Sequence, residues 1–135
     1  LAGRSLRFSR LSALDLGAGD PAGTRRPVEE TVMTTILVMF NLKSGVSEAD
    51  YEEWAKRSDL PMVRSLRSIS DVKLLKSLGV LGTDYRPPYQ YVELVEVLDM
   101  LQFQNDITHP DVQIVAAEFR KFADDPIFVP TVQLD

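Results

Sequence analysis

The sequence contains no cysteine and only one histidine, His109, in 135 residues. The first absence excludes disulfides, thiolate zinc sites and cysteine nucleophiles, and it fits a reducing, cytoplasmic setting. The second leaves no imidazole cluster to hold a metal. No apolar stretch approaches the roughly 18–20 residues that a membrane helix requires. A basic surplus is also lacking: fifteen Lys/Arg stand against twenty Asp/Glu, a net charge of −5. This argues against nonspecific nucleic-acid binding, which needs cations to displace phosphate counterions. There is no G-x-G-x-x-G after a strand, no phosphate loop and no G-x-S-x-G elbow, so nucleotide binding and serine hydrolysis lack their usual devices. What is present, 44 % apolar and 26 % charged residues, is the composition of one globular domain.

Two unequal parts are expected. Residues 1–32 hold four of the seven glycines and show no sustained helix or strand period. Arg4, Arg7 and Arg10, interleaved with Leu6, Phe8, Leu11 and Leu14, resemble an organelle transit peptide. Met33 opens the strand-like run MTTILVMF, which favours reading residues 1–32 as an upstream extension or tail. Five of the fifteen basic and four of the twenty acidic residues fall in that tail. The expected domain, residues 33–135, therefore carries ten against sixteen, a net charge of −6.

Within the domain the hydrophobic period changes in a readable order. Thr34 to Asn41 is a short apolar run with β-branched residues, suited to a strand buried on both faces. Ser47 opens a helix in a Ser-x-x-Asp version of the capping box, with Tyr51, Trp54, Ala55, Ser58 and Met62 on one face; Pro61 is expected to end or kink it. Ser70 to Leu78 and Tyr89 to Leu98 alternate as strands, separated by a turn-rich loop over 79–88. A second helical region starts near Asp99, breaks at Thr108-His109-Pro110-Asp111, and resumes with Val112, Val115, Ala116, Phe119 and Phe122 on one face. Ile127 to Leu134 is the last strand, and Pro130 assigns it to a sheet edge.

Strand, helix, strand, strand, helix, strand is the ferredoxin-like βαββαβ arrangement, an α+β fold with antiparallel sheet order 4-1-3-2. Its helices cover one face of the sheet. Because Leu37 and Met39 alternate with Ile36, Val38 and Phe40, the other face is apolar as well. A homodimer packed through the sheet faces is the economical way to bury it.

On this architecture, residues 33–135 resemble the dimeric α+β barrel superfamily, and within it the RedY-like (HapK-like) proteins, with EthD-like and antibiotic-biosynthesis monooxygenase groups as cousins. The residues that carry the resemblance are Trp54-Ala-Lys-Arg-Ser-Asp-Leu-Pro61-Met-Val-Arg-Ser-Leu66, Tyr91-Val-Glu-Leu-Val95 and Phe119-Arg-Lys-Phe-Ala-Asp-Asp-Pro126. The resemblance implies a cavity between helices and sheet. It also implies a small-molecule enzyme of secondary-metabolite type: a cyclase, isomerase or monooxygenase doing cofactor-independent acid–base chemistry on an aromatic or polyketide-like substrate. The cousins often carry His-x-Pro late in the first helix, with the His facing the cavity; here those positions read Asp59-Leu60-Pro61, a carboxylate in place of the imidazole. Haem-degrading relatives share an Asn on the first strand, as Asn41, and one His on the second helix, as His109. Their Trp lies elsewhere, so no haem or metal is expected.

The candidate catalytic residues are Asp59, as proton acceptor, and His109, as its proton partner, since an imidazole exchanges protons near neutral pH. Trp54, Arg64, Tyr85, Tyr91 and Asn41 are the candidates for substrate binding. Each has a plainer role to set beside it: Trp54 as core, Asp59 as acceptor of backbone or Arg hydrogen bonds, Arg64 as a solvated charge, His109 as a helix-capping residue. Glu93 reads as an outward-facing charge. The alternative function is a binding or structural module that holds a small ligand without transforming it. Asp59 and His109 pointing into one cavity would favour an enzyme; filling of that space by Trp54, Phe103 and Phe119 would favour the module.

Overall fold

The apolar run after Met33 forms β1 (Thr34–Leu42), a strand whose side chains alternate between a face covered by helices and an open one. In the computed structural model, which describes residues 33–135, Ile36, Val38 and Phe40 are buried beneath the helices. The expected tail, residues 1–32, lies outside the described residues. β2 (Ile69–Lys76), β3 (Tyr91–Val97) and β4 (Ala123–Val132) complete one antiparallel sheet in the order β2-β3-β1-β4, which is the expected order. β4 with Pro130 lies at the edge, where the missing N–H costs the ladder nothing.

Ser47 caps the first helix, its Oγ accepting the Asp50 N–H at 3.2 Å. The helix does not end at Pro61. It runs through α1 (Glu48–Trp54), one widened π-turn (Ala55–Asp59) and α2 (Leu60–Arg64). In the π-turn the Leu60 N–H reaches back five residues to the Ala55 carbonyl. That extra residue accommodates the proline just beyond it and rotates the following side chains, so Asp59 is buried where Ser58 was expected.

After β3, Asp99 caps α3 (Met100–Asp106) and His109 caps α4 (Pro110–Phe122), the break falling where it was expected. Two strand ends differ from the sequence reading. β2 stops at Lys76, opposite Tyr91 at the start of β3, so Leu78 has no strand to pair with and is 97 % exposed. β4 begins at Ala123, ahead of the Asp-Asp-Pro expected to precede it. Asp125 takes a φ of 51° and forms a bulge with Pro126 opposite Phe40, so the chain passes from helix to strand without leaving the sheet. The core lies between sheet and helices around the rings of Phe40, Tyr51, Tyr91, Phe119 and Phe122, with neighbouring centroids 5.0–5.6 Å apart. Among the described residues no helix is long and apolar enough to cross a membrane.

Candidate active site

Packing between helices and sheet leaves a cavity of about 120 Å³. A void of roughly 150 Å³ takes a benzene ring, so this one suits a ligand with a body of about one ring. Its walls are apolar: Ile36, Val38 and Val95 rise from the sheet, Phe103 comes from α3, and Val115 and Phe119 come from α4. Phe103 and Phe119 line the space without filling it, and Trp54 is not among its walls.

Three ionisable side chains interrupt this surface: Asp59, Glu93 and Arg120. Asp59 ends the π-turn and its carboxylate caps no backbone N–H, so the plainer role weighed for it is not the one it plays. Only 7 % of the residue is exposed. Burial penalises the charged form and pushes the Asp59 pKa up from 3.8 to about 7.

Glu93 corrects the sequence reading. It was expected to face outward, but it pairs across the sheet with Val38 on the helix-covered face and is equally buried. Its Oε2 has no hydrogen-bond partner. Burial, then repulsion from Asp59, holds its pKa well above the ordinary carboxylate range, against the opposing pull of Arg64. The Tyr51 hydroxyl, also buried and unpartnered, stays neutral because of burial and the nearby Glu93 and Asp59 charges. One carboxyl that titrates near neutrality thus stands beside one whose pKa burial and repulsion hold well above the ordinary range, in surroundings that magnify both effects.

The other candidates lie apart from the cavity. His109 is exposed; its Nδ1 accepts the Asp111 N–H at 3.2 Å, capping α4, and it is not a lining residue. It takes the capping role that the helix restart at Pro110 had suggested. Trp54 is core, as its place on the apolar stripe allowed: its ring packs on Phe122 and its Nε1 donates to Glu118 Oε1 at 2.9 Å. Arg64 lies on the exposed side of α2, where its guanidinium donates to the Val72 carbonyl at 3.0 Å. Tyr85 is 74 % exposed in the 77–90 loop and does not line the cavity. Tyr91 is buried core, stacked on Phe40 and donating its hydroxyl to Glu52 Oε2 at 2.7 Å. Asn41 ties that loop to β1 by donating to the Pro88 carbonyl and accepting the Gln90 N–H. Of the seven candidates, only Asp59 lines the cavity. No group of three or more His, Cys, Asp or Glu side chains among the described residues could hold a metal ion.

Sequence reasoning missed Glu93, Tyr51 and Arg120. The signal for Glu93 was its parity on β3 with Tyr91 and Val95, all three lying two residues apart. Tyr51 was placed on the buried stripe but not weighed as polar. Arg120 lies one residue beyond Phe119 on a helix face that was read only for its apolar positions.

Comparison with known proteins gives the family. No curated protein matches this chain. HapK from Hahella chejuensis is similar in structure, with a TM-score of 0.60 and 20 % identity, covering 75 % of this chain and 92 % of that one. A hydroxynitrile lyase from Passiflora edulis superposes with a TM-score of 0.66 at 13 % identity, covering 78 % and 96 %. SnoaB, a cofactor-independent oxygenase from Streptomyces nogalater, does so with 0.61 at 14 %, covering 77 % and 95 %. At these identities the superpositions show the shared ferredoxin-like fold. The profile of the REDY-like protein HapK matches residues 34–134, the whole of the described sheet and helix layer, and so the chain belongs to the HapK, REDY-like family.

Proposed function

We propose that the protein is an enzyme that performs acid–base chemistry, without a cofactor, on a small aromatic or polyketide-like molecule in the cavity between helices and sheet. The observation that carries this reading is Asp59, a buried carboxyl in an apolar cavity with a pKa raised to about 7. A base with that pKa is half ionised at neutral pH and strong enough to accept a proton from an acidic C–H or O–H. When Asp59 removes a proton from carbon beside a carbonyl, the C–H electron pair moves to the carbonyl oxygen and an enolate forms. Glu93, whose raised pKa favours its protonated form, is in that form a neutral donor for that oxygen, and it stabilises developing charge as preorganised donors do. Where a carbon–carbon double bond adjoins the deprotonated carbon, the enolate extends over it as a dienolate, and returning the proton from Asp59 to the far carbon shifts the double bond into conjugation and completes an isomerisation. Glu93, not His109, is the proton partner in this scheme.

Assembly belongs to the same reading. The sheet face away from the helices presents Leu37, Met39, Val92, Leu94, Ile127 and Val129, none of them covered by a helix. A second copy packed sheet to sheet buries this face and makes the homodimer that the fold favours.

The test is wash-out of the methyl protons of acetophenone into D₂O, followed by proton NMR at pD near 7.5. The wild-type protein should accelerate exchange above buffer, and Asp59→Asn should not. Equal exchange by both proteins, or none above buffer by either, would overturn the catalytic reading.

A further inference from the structure

The cavity has one cationic side chain, and the scheme above does not use it. Arg120 lies in the last turn of α4, half-buried, and lines the cavity beside Phe119. It makes no hydrogen bond or ion pair with any described residue, whereas Arg64 and Arg57 each have a partner, the Val72 carbonyl and Glu53. A guanidinium on an apolar wall has five donors in a planar fork, and the group that matches this fork is a carboxylate.

Asp59, Glu93 and Arg120 line one cavity whose other walls are largely hydrocarbon. A ligand carrying a negative group is repelled by Asp59 once that carboxyl ionises, and attracted by Arg120. The unpartnered Glu93 Oε2 calls for a neutral polar group or a C–H acid, not a second anion.

We infer that Arg120 is an anion anchor that selects a small aromatic or similarly apolar carboxylic acid. The carboxylate lies on the guanidinium, and the apolar body extends between sheet and helices toward Asp59 and Glu93. This names the charge class of the substrate; it rests on the cavity assigned above but not on the chemistry of Asp59.

Benzoate and benzyl alcohol are suitable probes, because they share a ring and differ in charge. Both would be titrated at pH 7 into the full-length wild-type protein and into Arg120→Gln, following the backbone amide NMR shifts of Val115 and Phe119. Benzoate should bind the wild-type protein more tightly than benzyl alcohol. Arg120→Gln should weaken benzoate binding roughly tenfold or more, the usual worth of a charge-assisted pair, and leave benzyl alcohol unchanged. Three results would overturn the inference: no benzoate binding at millimolar concentration, equal affinity for the two probes in the wild-type protein, or equal weakening of both in the variant. The last would show that Arg120 only packs its stem against the wall. Asp59→Asn separates this proposal from the catalytic one. Benzoate binding retained in that variant, together with acetophenone exchange at the wild-type rate, would refute the role of Asp59 and support the anchor.

Discussion

Replacing Asp59 with asparagine should make the protein more stable at alkaline pH and less so at acid pH, because the buried carboxyl is a liability only when charged. The folded-state pKa of about 7 lies above the unfolded value of 3.8. Between those values the folded state holds a proton that the unfolded state has released, so stability falls as pH rises. The stabilising side of the shift is fully present below about pH 4 and is lost as pH passes through 7. Three pH units at 1.36 kcal/mol each amount to about 4 kcal/mol, an upper bound because the cavity can admit water beside the carboxylate. The substituted asparagine keeps the shape but does not titrate, and burying its amide carries a constant cost of roughly 1–3 kcal/mol. Subtracting the two stability profiles cancels the groups that Asp59 does not act on, including Glu52 and Asp106, whose lowered pKa values tilt both profiles the opposite way; Glu93, which Asp59 repels, remains in the difference. Thermal melts by circular dichroism at half-unit steps from pH 4 to 9 should show the variant melting below wild type at pH 4 and above it at pH 9. The crossover should fall between about pH 4.5 and 6, where the loss of 1.36 kcal/mol per pH unit above 3.8 matches the cost of the amide. At roughly 4–8 °C per kcal/mol for a domain of this size, the difference should change by at least 8 °C across that range. Parallel curves, differing by less than about 4 °C from end to end, would refute the assignment of a raised pKa to Asp59.

Three further outcomes follow from the placement of the other residues. His109→Ala should cost about 1 kcal/mol through loss of the α4 cap and leave proton exchange in acetophenone at the wild-type rate; a tenfold loss of exchange would return His109 to the active site. Trp54→Phe should cost about 1 kcal/mol by removing the hydrogen bond to Glu118 without changing benzoate affinity, as shown by melts beside NMR titration. Leu37→Lys, on the open face of β1, should convert a dimer to a monomer in sedimentation velocity at micromolar concentration, because it buries a charge at the centre of the proposed interface. A wild-type protein that already sediments as a monomer would remove the basis of the sheet-to-sheet dimer.

The fold was legible because each element carries its own period and its own punctuation. Ser47 and Asp99 mark helix starts that their side chains make real, and Pro130 marks an edge strand. Less legible were the places where tertiary contact overrides local pattern. Pro61 reads as a stop, but a π-turn upstream absorbs it, and that same turn brings Asp59 to the cavity. The choice of Asp59 came from its position against a family motif, not from helical periodicity, which put Ser58 on the inner face. Glu93 was misread because a charged residue in a strand ordinarily faces water, although its parity with Tyr91 and Val95 pointed inward. The tyrosines were chosen for their clustering around the long loop and third strand, and Asn41 for its match to an Asn on the first strand of haem-degrading relatives. Tyr85 is exposed on its loop, and Asn41 serves to fasten that loop.

The account turns on a carboxyl that changes charge near neutral pH inside the cavity, and its titration can be observed directly. Protein labelled with ¹³C at the aspartate carboxyls would be followed by NMR from pH 3 to 10, with the Asp59 resonance assigned by its absence in Asp59→Asn. The account predicts a midpoint near 7 for that resonance. A midpoint near 4 for Asp59 would contradict it.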